Sequence, residues 1–138
     1  MKIKCISNLG KDLSDDLIFI PGGYAKDTKF DELSIGKEYV VYALTVLRGY
    51  FWYYIADEHY LYFPVYKPAV LFEITDPRLS KCWEIGFKFS QGEGTKNQII
   101  AYKEWVHESH YYELLSDGNP REVKIYNQYK KLMDEEFN

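Results

Sequence analysis

Hydrophobic and polar positions follow the two-residue period of strands through the middle of the chain, and only the last third changes to a helical period. Residues 39–47 (YVVYALTVL) are apolar on both alternating faces and rich in β-branched and aromatic side chains, which predicts a central strand. Arg48-Gly49 supplies a turn, because glycine accepts positive φ, and residues 50–56 return as the partner strand of an aromatic hairpin. Asp57-Glu58-His59 forms the next turn. Residues 60–66 predict a strand whose Pro64, lacking a backbone donor, sits at an edge or bulge, and residues 70–74 predict another that Asp76-Pro77 ends. In residues 81–89 Trp83, Ile85, Phe87 and Phe89 fall on one face, with Cys82, Glu84 and Lys88 on the other, the pattern of a half-buried strand. Residues 90–94 read as a loop tip and residues 99–105 as the returning strand. At the other end, residues 2–6 suit a short strand. Residues 7–31 then form a long excursion that the apolar insert Leu17-Ile18-Phe19-Ile20 pins to the core.

Helical signals come last. His107, Tyr111, Leu114 and Leu115 recur at helical spacing before Gly118, which suits the residue after a helix end, so a short helix over about 106–116 is expected. A second helix is capped by Asn119, opened by Pro120 and supported by Glu122 in an Asn-x-x-Glu arrangement. Val123, Tyr126, Tyr129 or Lys130, and Met133 trace its inner face. The 138 residues carry no internal repeat or linker, so residues 1–138 form a single domain, with a β-barrel over 1–105 and a helical appendage over 106–138.

Composition sharpens this picture. The 14 Tyr, 8 Phe and 3 Trp make 18% of the chain, which favours a β-rich aromatic core. Cys5 and Cys82 are too few and too far apart for a disulfide scaffold, so a reducing cytoplasmic home is expected. Met1-Lys2-Ile3-Lys4 is followed by no apolar leader segment. The longest apolar run, residues 50–56, is far short of the roughly 18 residues that span a bilayer, so no membrane association is expected. Net charge is −4 and the 17 basic residues are scattered, which argues against nucleic acid.

The segment Asp31-Glu32-Leu33-Ser34-Ile35-Gly36-Lys37-Glu38-Tyr39 resembles the diverging turn of SH3-like barrels, and a long loop precedes it as in that family. Trp52-Tyr53-Tyr54-Ile55-Ala56-Asp57 is similar to the tryptophan-bearing strand of the fold, although the Ala-Leu-Tyr-Asp-Tyr peptide-groove motif is missing. With Lys4-Cys5-Ile6-Ser7-Asn8 at the start, Pro68-Ala69-Val70-Leu71-Phe72-Glu73-Ile74 in the middle and an acidic helical end, the layout resembles small bacterial cytosolic SH3-like proteins. Some of these are immunity proteins that bind and neutralise a cognate toxin. The resemblance implies a mainly β fold, a small antiparallel SH3-like barrel with a long N-terminal loop and two C-terminal helices, and a protein-binding role without catalysis.

His107-Glu108-Ser109-His110 places two imidazoles three apart, where they can face one metal, but it is not His-Glu-x-x-His and its third ligand would have to be His59 or a carboxylate. A polar helix face with His107 inward is expected instead, with no metal, no cofactor and no enzymatic activity; a metal-dependent enzyme is the alternative. Cys82 beside Trp83 reads as a buried, inert thiol. Gln91-Gly92-Glu93-Gly94 fits no phosphate loop, and Glu93 would repel phosphate. No Lys or Arg stands between Arg48 and Lys67, whereas Asp57 and Glu58 do, so the aromatic stretch reads as a protein-binding patch more than a base-stacking platform; a nucleic-acid-binding barrel is the second alternative. The candidate partner-binding residues are Trp52, Tyr54, Asp57, Glu58, Tyr60 and Tyr62, facing a basic protein such as a toxin domain. Alternation leaves open whether Phe51, Tyr53 and Ile55 or Tyr50, Trp52 and Tyr54 point outward.

Overall fold

In a computed structural model that describes residues 1–18, 24–59, 62–89 and 96–138, the chain is mainly β. The strands are β1 (Lys2–Cys5), β2 (Glu38–Val40), β3 (Ala43–Leu47), β4 (Tyr50–Ile55), β5 (Val65–Pro68), β6 (Phe72–Asp76), β7 (Glu84–Phe89) and β8 (Lys96–Ala101). One short helix, α1 (Asp15–Ile18), lies in the long loop, and α2 (Lys103–His107), α3 (Tyr111–Ser116) and α4 (Pro120–Glu136) close the chain. The strands form two antiparallel sheets, ordered β2-β1-β6 and β5-β4-β3-β8-β7.

The expected central strand is divided. Val41 donates its N–H to Met1 in the first sheet, and Tyr42 donates to Tyr54 in the second, so β2 and β3 carry one stretch of chain from sheet to sheet. Both residues are buried, on opposite sides. Arg48 and Gly49 have φ of 55° and 81°, the left-handed geometry that a two-residue hairpin requires, and Leu47 pairs with Tyr50 directly beneath. β5 starts at Val65, later than expected, with Pro64 just before it and Pro68 at its end on a sheet edge. A single 3-10 turn over Ala69–Leu71 then moves the next strand to Phe72–Asp76. Leu17 anchors the long loop, together with Leu13, Phe30 and Leu33. Gly10 holds that loop closed. A side chain there would meet the Ala25 carbonyl at 2.2 Å, while the Gly10 N–H donates to Thr28 at 2.7 Å. Residues 19 and 20 of the apolar insert, residues 60 and 61 of the expected strand, and the expected tip at 90–94 lie outside the described residues.

Two apolar cores flank the five-stranded sheet. Leu44, Tyr53 and Ile55 face the first, with Ile3, Cys5, Leu71 and Phe72. Ala43, Ile99 and Ala101 face the second, with Trp105, Tyr111, Leu115, Tyr126 and Met133 from the helices. Two polar tips in the second core satisfy each other: the Tyr102 and Tyr111 hydroxyls are 2.8 Å apart, and Tyr111 donates onward to the Glu122 carbonyl.

Three expectations are corrected here. Trp105 is helical, since the strand ends at Ala101 and Trp105 and Val106 are the buried residues of α2. The helix expected over 106–116 is broken: His110 stands at φ 58°, the Glu108 carbonyl accepts the Lys88 ammonium, and the Glu108 carboxylate is held by Arg121. There are therefore three C-terminal helices among the described residues. The faces of β7 are also reversed. A side chain at Gly86 would meet Val106 at 2.4 Å, so the small residue lets α2 settle on the Glu84-Gly86-Lys88 face. Ile85 and Phe87 are left 69% and 60% exposed.

α3 ends in a Schellman motif, in which Gly118 at φ 80° donates to Leu115 and Asn119 donates to Leu114. Asn119 then precedes Pro120 as expected, but its amide does not cap the backbone. It donates to both carboxylate oxygens of Glu122, at 2.6 and 2.7 Å, and Glu122 is 2% exposed. The α4 terminus thus depends on a buried acid and its amide partner. Asn119→Ala is expected to cost about 1–3 kcal/mol, the penalty for an unsatisfied buried acceptor. Asn119→Asp, neutral at an ordinary cap, should cost more at neutral pH because two carboxylates then oppose each other. Denaturant unfolding measures both, and an aspartate variant as stable as the parent would contradict this account.

Candidate functional site

A groove of about 710 Å³ opens on the helix-bearing side of the five-stranded sheet. Its volume is in the range of pockets that hold small ligands or protruding side chains. Thr45, Trp52, Tyr54, Tyr66 and Ile99 line it from the strands, and Trp105, His107, His110 and Tyr112 from α2, α3 and the link between them. Register brings these rings together: Tyr54 pairs with Ala43 on one side and Tyr66 on the other, and Trp52 pairs with Thr45 and Pro68. The small Ala43 leaves room for the helices to approach.

The rings form a continuous ladder. Trp52 meets Tyr66 at 5.7 Å between centroids, Tyr66 meets Tyr54 at 5.6 Å, and Tyr54 meets Trp105 at 4.8 Å and Tyr112 at 5.2 Å, all edge to face. Trp105 and Tyr112 stack at 5.3 Å with planes 10° apart. The tips are pinned to carbonyls: Trp52 Nε1 donates to Leu47, Tyr112 to Pro64 and Tyr62 to Ser116. Trp52 and Trp105 lie at the bottom, nearly inaccessible, whereas Tyr66 is 45% exposed at the lip. Lys88, Lys96 and Glu113 add charge to the lining. Burial pushes the Lys88 ammonium below its ordinary range, against Glu113 and Glu108, which favour the charged form.

The predicted patch is split in two. Trp52 and Tyr54 both line the groove, and Tyr62, 43% exposed, is tied to Ser116 at its margin. Asp57 and Glu58 belong to a separate ionic cluster. Asp57 is not an exposed turn acid: it is 4% exposed, its Oδ1 accepts the His59 N–H at 2.8 Å, and its Oδ2 lies 3.6 Å from Lys67 Nζ. Lys67 also pairs with Glu32 at 2.9 Å. Glu58 is exposed but accepts bonds from Ser34 Oγ and Lys37 Nζ, at 2.8 and 3.2 Å, which hold its carboxyl below the usual range. Tyr60 lies outside the described residues. Of the two ring sets, neither is wholly outward: Phe51 is 54% exposed, Tyr53 and Ile55 are buried, and Trp52 and Tyr54 face the groove.

Sequence reasoning missed Tyr66, Trp105 and Tyr112. Tyr66 joins the site only through the β4–β5 register, and Trp105 through a helix read as strand. His107 is not inward: it is exposed and pairs with Glu84 at 2.9 Å. Among the described residues, no three His, Cys, Asp or Glu side chains come together as a metal site. Cys5 is buried and Cys82 half-buried, both as free thiols, and burial pushes the Cys5 thiol up. No helix among the described residues is long and apolar enough to cross a membrane. In comparison with known proteins, the chain matches no family model, no curated protein and no solved structure.

Burial holds the phenols of Tyr42, Tyr54, Tyr102, Tyr111, Tyr112 and Tyr126 far above their ordinary value of 10.0, and those of Tyr24 and Tyr129 at about 12. Above that ordinary value the unfolded chain releases protons that the folded chain retains, so this contribution to stability is complete below pH 10 and falls as pH rises further. Tyrosinate absorbance is expected to rise cooperatively with loss of the circular dichroism signal in alkali. Independent titration of all tyrosines near pH 10 with the fold intact would contradict the buried ladder.

Proposed function

We propose that the protein is a cytosolic, non-catalytic protein-binding module of the toxin-neutralising type, built on an SH3-like barrel, and that the aromatic groove receives its partner. The groove carries the reading. A concave site whose rings are fixed by one another offers pre-organised contact area, and Tyr and Trp are the residues that dominate interface energetics. The SH3-like part of the reading is supported by the long loop between β1 and β2, by the pairing of β1 with both β2 and β6, and by the 3-10 turn between β5 and β6.

The lining of the groove favours an acidic partner over the basic one expected from the sequence. Asp57 and Glu58 are paired with Lys67 and Lys37, whereas Lys88 and Lys96 stand with Glu113 in the groove lining. An acidic segment bearing an apolar or aromatic side chain suits that surface. Unpaired bases suit it less, because the ladder spends its ring faces and edges on internal contacts and leaves Trp52 and Trp105 nearly inaccessible.

A photo-reactive residue in place of Tyr66 tests this in cells. The expected result is capture of one protein that arrests growth when produced alone and is relieved by co-production of this chain. Tyr66→Ala or Lys96→Glu in the otherwise native protein should weaken binding of that purified partner by about tenfold or more, with folding unchanged. A harmless captured protein, or affinity indifferent to both substitutions, would overturn the proposal.

A further inference from the structure

β7 ends the five-stranded sheet: β8 pairs with one of its edges, and no described strand pairs with the other. Such an edge presents unpaired backbone groups, which soluble proteins normally blunt with charge, proline or a bulge. Here the two charged side chains are turned toward α2, Glu84 to His107 at 2.9 Å and Lys88 to the Glu108 carbonyl. On the other face Ile85 and Phe87 are largely exposed. Ile100, half-buried and paired with Ile85, continues that apolar row inward along the sheet.

The strand is its own complement. Read antiparallel about Gly86, Glu84 meets Lys88 of a second copy, Ile85 meets Phe87, and the two glycines oppose each other. Neighbouring registers lose this. Centring on Ile85 sets Lys88 against Cys82, and centring on Phe87 sets it against Gly86, while a one-residue slip turns the second copy over and separates the apolar rows. We propose that β7 pairs in the Gly86-centred register with β7 of a second copy of this chain. Two five-stranded sheets then join into one of ten strands. The α2 helices and the grooves of both copies stand on one side of it, and the Ile85 and Phe87 side chains form one apolar patch on the other.

Sedimentation equilibrium across a concentration series tests the pairing. The parent protein is expected to dimerise. Glu84→Lys and Lys88→Glu, each of which opposes like charges at both symmetry-related positions, should each raise the dimer dissociation constant about tenfold or more. The double variant, which swaps the charges and restores both pairs, should return to within about threefold of the parent. Should a variant fail to fold, amide exchange in the parent gives an independent readout: β7 amides should gain protection with concentration while those of β1 do not. A parent that stays monomeric throughout, a dimer indifferent to either single change, or β7 exchange independent of concentration would overturn the proposal. The first of these results would leave the edge open to a strand from another protein.

Discussion

Everything in this molecule depends on burying both faces of the β3–β4 ribbon. Successive residues serve different cores: Ala43 the helical one and Leu44 the other, Tyr53 and Ile55 the side of the three-stranded sheet, Tyr54 the side of the helices. A strand that is apolar on both faces is stable only between two layers. One layer is the three-stranded sheet with its long loop, and the other is the three-helix segment. The groove exists because the helices meet the ribbon at Tyr54 and not along its whole length.

That constraint explains how far the sequence could be read. The doubly apolar stretch, the Arg48-Gly49 turn, the Gly118 helix stop and the Asn119-Pro120 start are local features, each set by the conformational preference of one or two residues, and each was legible. The mistaken elements depend on distant partners. Alternation in β7 suggested that Ile85 and Phe87 face inward, but a missing side chain at Gly86 decided which face α2 could approach. Asp57 looked like an exposed turn acid because its counter-ion, Lys67, comes from the following strand and Glu32 from the long loop. The break at His110 follows from contacts of Glu108 with Lys88 and Arg121, neither of them adjacent in sequence.

The candidate site shows the same division. Trp52 and Tyr54 were visible as ring-bearing positions beside a turn, but Tyr66, Trp105 and Tyr112 became part of one surface only through strand register and helix docking. The acids lay next to the rings in sequence and went elsewhere in space. A groove whose walls come from the ribbon and from the helical layer keeps its shape only as well as the two stay joined, so binding and cooperativity have a common origin in the Tyr54–Trp105–Tyr112 contact.

The most direct test of that dependence is native-state amide exchange in a Trp105→Ala variant. Removing a buried tryptophan typically costs about 3–5 kcal/mol. If the ribbon unites both cores, that loss should appear equally in the most protected amides of α4 and of β1, on opposite sides of the sheet. Loss of protection in α4 with β1 left at the parental level would show two independent units and contradict the account.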